Sequence, residues 1–248
     1  NGDVLTAELC AQSARPSSDG SEFTVETAIC AASTGQRHPT ASASILLAMA
    51  PPSPGQALAP IEGEAFPDAN RIYDGVLFHG AQLQCIQRID AISPLGMRAI
   101  LENRAQPADW MQSPLRNRWI SAPLAIDGAF QLLCLWSRRE LGHFCLPTAV
   151  GRYVQYCRVF PSNSLEVHIL VKERSTHSLC ADVQWLNEEG QVLADMTDYR
   201  AIVDASLQDA FAANRLLAKA NGTARAEETK QSELLAEGRE VISGRKNN

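Results

Sequence analysis

The sequence predicts an α+β fold in which an antiparallel sheet wraps one long buried helix. Three observations carry this. Residues 123–142, PLAIDGAFQLLCLWSRRELG, hold apolar side chains on nearly every face, and a helix that is apolar almost all round is buried. No other stretch before residue 205 has a helical pattern of comparable length. The remainder reads as short segments rich in alternating apolar and β-branched residues, separated by Pro, Gly, Ser and Asp.

The chain opens with three strands, DVLTAELCA, EFTVETAICA and PTASASILLAM, broken by RPSSDG and STGQRHP. Residues 1–50 are thus a piece of antiparallel sheet, able to bury one face only against something else. Residues 51–70 contain five prolines and read as a stiff extended linker. A second, complete unit spans 71–204. It holds a turn over Tyr73 to Gln84, strands on both sides of Pro94-Leu95-Gly96, a loop through Trp110 and Trp119, the buried helix, and strands after it. Glu188-Glu189-Gly190 marks a hairpin turn. Residues 205–248 give one short helix, with Ser206 as cap, and a polar tail.

Pro123 suits the first turn of the helix and Gly142 the position just past its end. The apolar run is interrupted at Asp127 and Gln131, so it is not a membrane span. Those two residues are one turn apart and project from one side. Burying a carboxyl group is costly, which makes Asp127 the residue that function has to explain. The plain alternative is a polar pair bonded to loop backbone near a helix start.

Composition excludes several classes. The 248 residues carry a net charge of −6 without a basic, aromatic-interleaved run, which argues against nucleic acid or an anionic membrane as partner. No signal peptide or long apolar span is visible, so a cytoplasmic protein is expected. Seven scattered cysteines form no C-x-x-C pair, and no metal site is expected. A G-x-S-x-G run and a phosphate loop are both absent.

Three runs, LFHGAQLQ (77–84), IDGAFQ (126–131) and LPTAVGR (146–152), together resemble the second half of the double hot-dog dehydratase domains of type I polyketide synthases. The likeness is nearest to iterative synthases of the polyunsaturated-fatty-acid type. It covers roughly residues 1–211, with Ala81 standing where that family usually has proline. It implies a hot-dog fold, one complete unit at 71–204 and a partial first hot-dog at 1–50. It implies removal of water from a 3-hydroxyacyl thioester on an acyl-carrier protein, giving an enoyl thioester, a lyase step of polyketide or fatty-acid biosynthesis.

By the same resemblance Asp127 is the acid and Gln131 the residue that orients it. His79, Phe78, Leu146, Pro147 and Gly151 line the substrate tunnel. No cofactor is implied beyond the carrier's phosphopantetheine arm. The implied partners are the acyl-carrier protein, other synthase domains and a possible second copy. Arg116, Arg118, Arg138 and Arg139 are candidates to meet an acidic carrier, or are simply solvated. The family's base is a histidine in an H-x-x-x-G-x-x-x-x-P loop of the first hot-dog. None of His38, His79, His143, His168 or His177 has a glycine four residues on. The base is therefore expected outside this chain, and the alternative is a non-catalytic copy that scaffolds or dimerises a synthase. A thioesterase is a third reading, since the same fold also hosts hydrolysis.

Overall fold

A computed structural model describes residues 6–31, 39–66, 72–73 and 76–213. His38, the polar tail after residue 213 and the linker's end at 67–70 lie outside them. The chain divides into two compact units, Asn1–Ser53 and Pro54–Asn248.

In the first unit, β1 (Ala7–Pro16), β2 (Glu22–Ala31) and β3 (Pro39–Ala48) form an antiparallel sheet in that order. The β1–β2 turn is closed by Asp19, whose Oδ1 accepts from the Ser17 hydroxyl (2.6 Å) and the Ser21 amide (3.1 Å). This is the local side-chain bonding that makes Ser and Asp turn residues.

The second unit is a seven-stranded antiparallel sheet in the order β4-β5-β6-β8-β9-β10-β7. Its strands are β4 (Glu64–Phe66), β5 (Ile86–Ser93), β6 (Gly96–Glu102), β7 (Phe144–Gln155), β8 (Ser164–Arg174), β9 (Ser178–Leu186) and β10 (Val192–Asp204). A short helix α1 (Pro107–Trp110) lies within the stretch read as loop, and residues 207–213 are helical as expected.

The organising element is α2, Pro123–Glu140. Leu132 and Trp136 are fully buried and Leu135 is 7% exposed, as the all-round apolar pattern requires. Each side chain of this size contributes about 1.5–3 kcal/mol on burial. Two indoles tie the sheet to the helix region: Trp136 Nε1 donates to the Ser93 carbonyl (2.8 Å) and Trp185 Nε1 to that of Ala125 (3.1 Å). Gly142, at φ +81°, takes the left-handed position past the helix end.

One expectation needs correction. The 51–70 segment is more than a connection, because β4 extends the sheet beside β5. Upstream of it, the Leu58 amide donates to Gln184 Oε1 (2.7 Å), and Gln184 Nε2 donates to the Gln56 carbonyl (3.3 Å). The side chain of Gln184 thus ties this segment to β9. His168 alternates along β8 with the core residues Val167 and Ile169, so it lies on the sheet's other face; there it is buried at 4% exposure and bonded to Glu166 Oε1 (2.6 Å). Its neighbour in register is Gln184, the residue that holds the 56–58 segment.

Candidate active site

Asp127 and Gln131 stand one turn apart on α2, and the structure joins them directly: Gln131 Nε2 donates to Asp127 Oδ2 at 2.7 Å. The other Gln131 N–H goes to the Leu83 carbonyl (2.8 Å). Its Oε1 accepts from the Tyr73 hydroxyl (2.8 Å), and that hydroxyl accepts from the amides of Cys85 (3.1 Å) and Ile86 (3.0 Å). Gln131 is 1% exposed and every polar atom of its amide is engaged. Because Tyr73 fixes the oxygen, the nitrogen must face Asp127.

The segment before β5 is folded to meet the helix. A 3₁₀ turn at Ala81–Leu83 brings the Leu83 carbonyl to Gln131, and Gln84 Nε2 closes the turn onto the His79 carbonyl (3.1 Å). Gly128 permits the approach of α2: a Cβ there would lie 2.6 Å from Cys85 Sγ and 2.7 Å from Leu101 Cδ1.

His79 Nε2 lies 3.9 Å from Asp127 Oδ2. The imidazole stacks on Phe78 with ring centres 4.4 Å apart, and Phe78 packs on Phe211. The His79 side chain is 10% exposed and its Nδ1 is buried without a hydrogen-bond partner in the structure. Burial pulls the His79 pKa below its ordinary value, and the Asp127 charge opposes this less strongly. Burial, then the same charge, pushes the Cys85 thiol up to about 12. The Asp127 side chain itself is 34% exposed, so the carboxyl opens outward instead of lying against a sealed wall.

The remaining tunnel residues fall elsewhere. Leu146, Pro147 and Gly151 are on the edge strand β7, exposed and paired toward β10. The Asp127 carboxyl is hydrogen-bonded by Gln131 and approached by the His79 imidazole, not by these residues. Gly151 does allow a close approach: a Cβ there would meet Asp198 Cβ at 2.8 Å. His143 and His177 are exposed loop residues. Arg139 pairs with Glu64 and Glu140, and Arg138 bonds the Gly142 carbonyl and covers Phe144; both are exposed. Tyr73 and the Leu83 carbonyl were not foreseen. The signal available was a tyrosine opening the run that ends in LFHG.

Residues 50–205, more than half of the chain, match the family described as polyketide synthase dehydratase N-terminal domain. The chain therefore belongs to the polyketide synthase dehydratase family. Solved structures agree on a hot-dog dehydratase fold. The chain resembles the dehydratase domain of the CurH module of curacin polyketide synthase at 18% identity and TM-score 0.56, covering 82% of this chain and 72% of that one. It resembles the RzxB dehydratase domain from Pseudomonas fluorescens at 18% identity and TM-score 0.54, covering 79% and 67%. For GphF dehydratase 1 the identity is 16% and the TM-score 0.52, with 73% of this chain covered and only 65% of the length of that one. At these identities the likeness concerns the fold. No curated protein matches the sequence.

Proposed function

We propose that this chain is the acid-bearing region of a 3-hydroxyacyl thioester dehydratase, working within a polyketide or fatty-acid synthase on substrates delivered by an acyl-carrier protein. Residues 71–204 are its second hot-dog. The observation that supports this best is the Asp127–Gln131 contact on the central helix, with the Gln131 amide locked by Tyr73 and Leu83. In the reaction one group removes the C2 proton, while the Asp127 carboxylic acid protonates the C3 hydroxyl as it leaves. Water departs and the C2–C3 double bond forms. Gln131 holds one carboxyl oxygen as acceptor, leaving Oδ1 to carry and deliver the proton.

His79 does not serve as the base in this reading. Its Nδ1 is sealed off and its Nε2 faces the Asp127 carboxyl, so neither nitrogen is directed at a substrate C2. Burial lowers its pKa, so it adds no positive charge beside Asp127. The base then comes from an opposing hot-dog.

Asp127→Asn tests the assignment when imidazole is supplied as an external base to both proteins. It retains binding of a 3-hydroxyacyl carrier protein and loses acid-dependent water elimination by about 100-fold or more. Equal elimination by both proteins refutes it. The scaffold reading requires that Asp127→Asn change nothing but stability.

A further inference from the structure

A cavity of about 500 Å³ lies away from Asp127, between the loop leading into α2 and the segment joining β7 to β8. Its volume is within the range of small-molecule sites, about 300–1,000 Å³. Arg118, Trp119 and Ser121 form one wall, and Phe160 and Ser162 belong to the facing one.

Asn103 and Gln106 also line it, but their side-chain amides already donate, to the Pro161 carbonyl (2.9 Å) and the Arg104 carbonyl (3.3 Å); the unspent donors are on Arg118, Trp119 and the two serines. Among the described residues no carboxylate pairs with Arg118. Trp119 Nε1 is buried without a hydrogen-bond partner, a costly state unless a ligand or water fills it. By contrast, the indole N–H groups of Trp136 and Trp185 each have a carbonyl. No acidic residue lines the cavity. The nearby Asp109 is occupied, its Oδ2 accepting from the Gln106 amide at 2.7 Å. A guanidinium, an indole N–H and two serine hydroxyls without any acid select an anion. Together they offer more donors than the roughly four acceptor positions of a carboxylate use, and they suit the additional oxygen of a phosphate. Phe160 and the Trp119 ring supply an apolar wall for the rest of the molecule.

We propose that this cavity binds a phosphate-bearing ligand, with the phosphate on Arg118 and Trp119 Nε1. The phosphate belongs either to the pantetheine arm of a carrier protein or to a free phosphate. The first source rests on the dehydratase reading, whereas the anion site does not.

Isothermal titration of the whole chain with 4′-phosphopantetheine, pantetheine and inorganic phosphate tests this. Phosphopantetheine should bind and pantetheine should bind about 10-fold or more weakly, the usual scale for losing a charge-assisted hydrogen bond. Arg118→Ala should reproduce that loss, and Trp119→Phe, which keeps the ring, should weaken phosphopantetheine selectively. Arg118 is exposed, so its variant folds, and melting temperatures check this. Phosphopantetheine binding well above inorganic phosphate supports the carrier arm as source. Equal, Arg118-dependent binding of the two supports the site with free phosphate as its ligand. Binding indifferent to the phosphate or to Arg118, or no binding of either phosphate compound, overturns the proposal. None of these outcomes depends on water elimination, so failure here is distinguishable from failure of the dehydratase reading.

Discussion

Gln131 meets Asp127 only through its nitrogen: Nε2 donates to Oδ2 at 2.7 Å, while the Tyr73 hydroxyl holds the amide oxygen at 2.8 Å. The orientation of the candidate acid thus depends on a tyrosine 58 residues away in sequence from its glutamine. The arrangement makes Tyr73 the residue that decides which face of the amide Asp127 sees.

Tyr73→Phe should therefore destabilise the protein. It leaves Gln131 Oε1 and the buried amides of Cys85 and Ile86 without their partner, a loss of about 1–3 kcal/mol. Urea unfolding at pH 7 measures it. An unchanged midpoint would mean that water replaces the hydroxyl without cost.

His79 predicts a pH effect with a definite sign. Its folded pKa lies below the ordinary 6.5, so the unfolded chain binds the proton more readily. Stability from the neutral imidazole is complete above the unfolded value and is lost as pH falls below about 6.5 toward the folded pKa. Melting temperatures between pH 8 and pH 5 should fall more steeply for the wild type than for His79→Gln. Parallel curves would show that the imidazole is not held neutral by the fold.

Gly128→Ala sets helix propensity against packing. Alanine gains up to about 1 kcal/mol in a helix interior, yet its Cβ would meet Cys85 Sγ at 2.6 Å and Leu101 Cδ1 at 2.7 Å. Overpacking of this kind costs about 1–3 kcal/mol, so net destabilisation is expected. Combining it with Leu101→Ala should cost less than the sum of the two single changes, because one of the two clashing side chains is gone. Strict additivity in the unfolding free energies would show that the helix shifts instead.

Much of this fold was legible because it is written in local chemistry. Pro123, the apolar run and Gly142 mark α2 to within a residue, and the strands either side of Pro94 and Gly190 lie where their turns put them. The Asp127–Gln131 contact follows from helical spacing alone. What was hidden is the set of contacts between segments far apart in the chain. Tyr73, Leu83 and His79 reach their partners on α2 from 48 or more positions away, and nothing in their spacing announces it. The burial of His168 was missed because the 56–58 segment covers that face through Gln184, a backbone contact without a sequence pattern.

The central claim is that this chain supplies the acid of a dehydration and not the base. It is tested most directly by incubating the chain with 3-hydroxydecanoyl carrier protein, with and without added imidazole as an external base, and weighing the carrier-bound acyl group. The account predicts no loss of water from the chain alone, slow loss when imidazole is present, and abolition of that loss by Asp127→Asn. Loss of water without imidazole would contradict it by placing the base within this chain, with His79 the first residue to replace. Loss that survives Asp127→Asn, or none even with imidazole, would contradict the assignment of Asp127 as the acid.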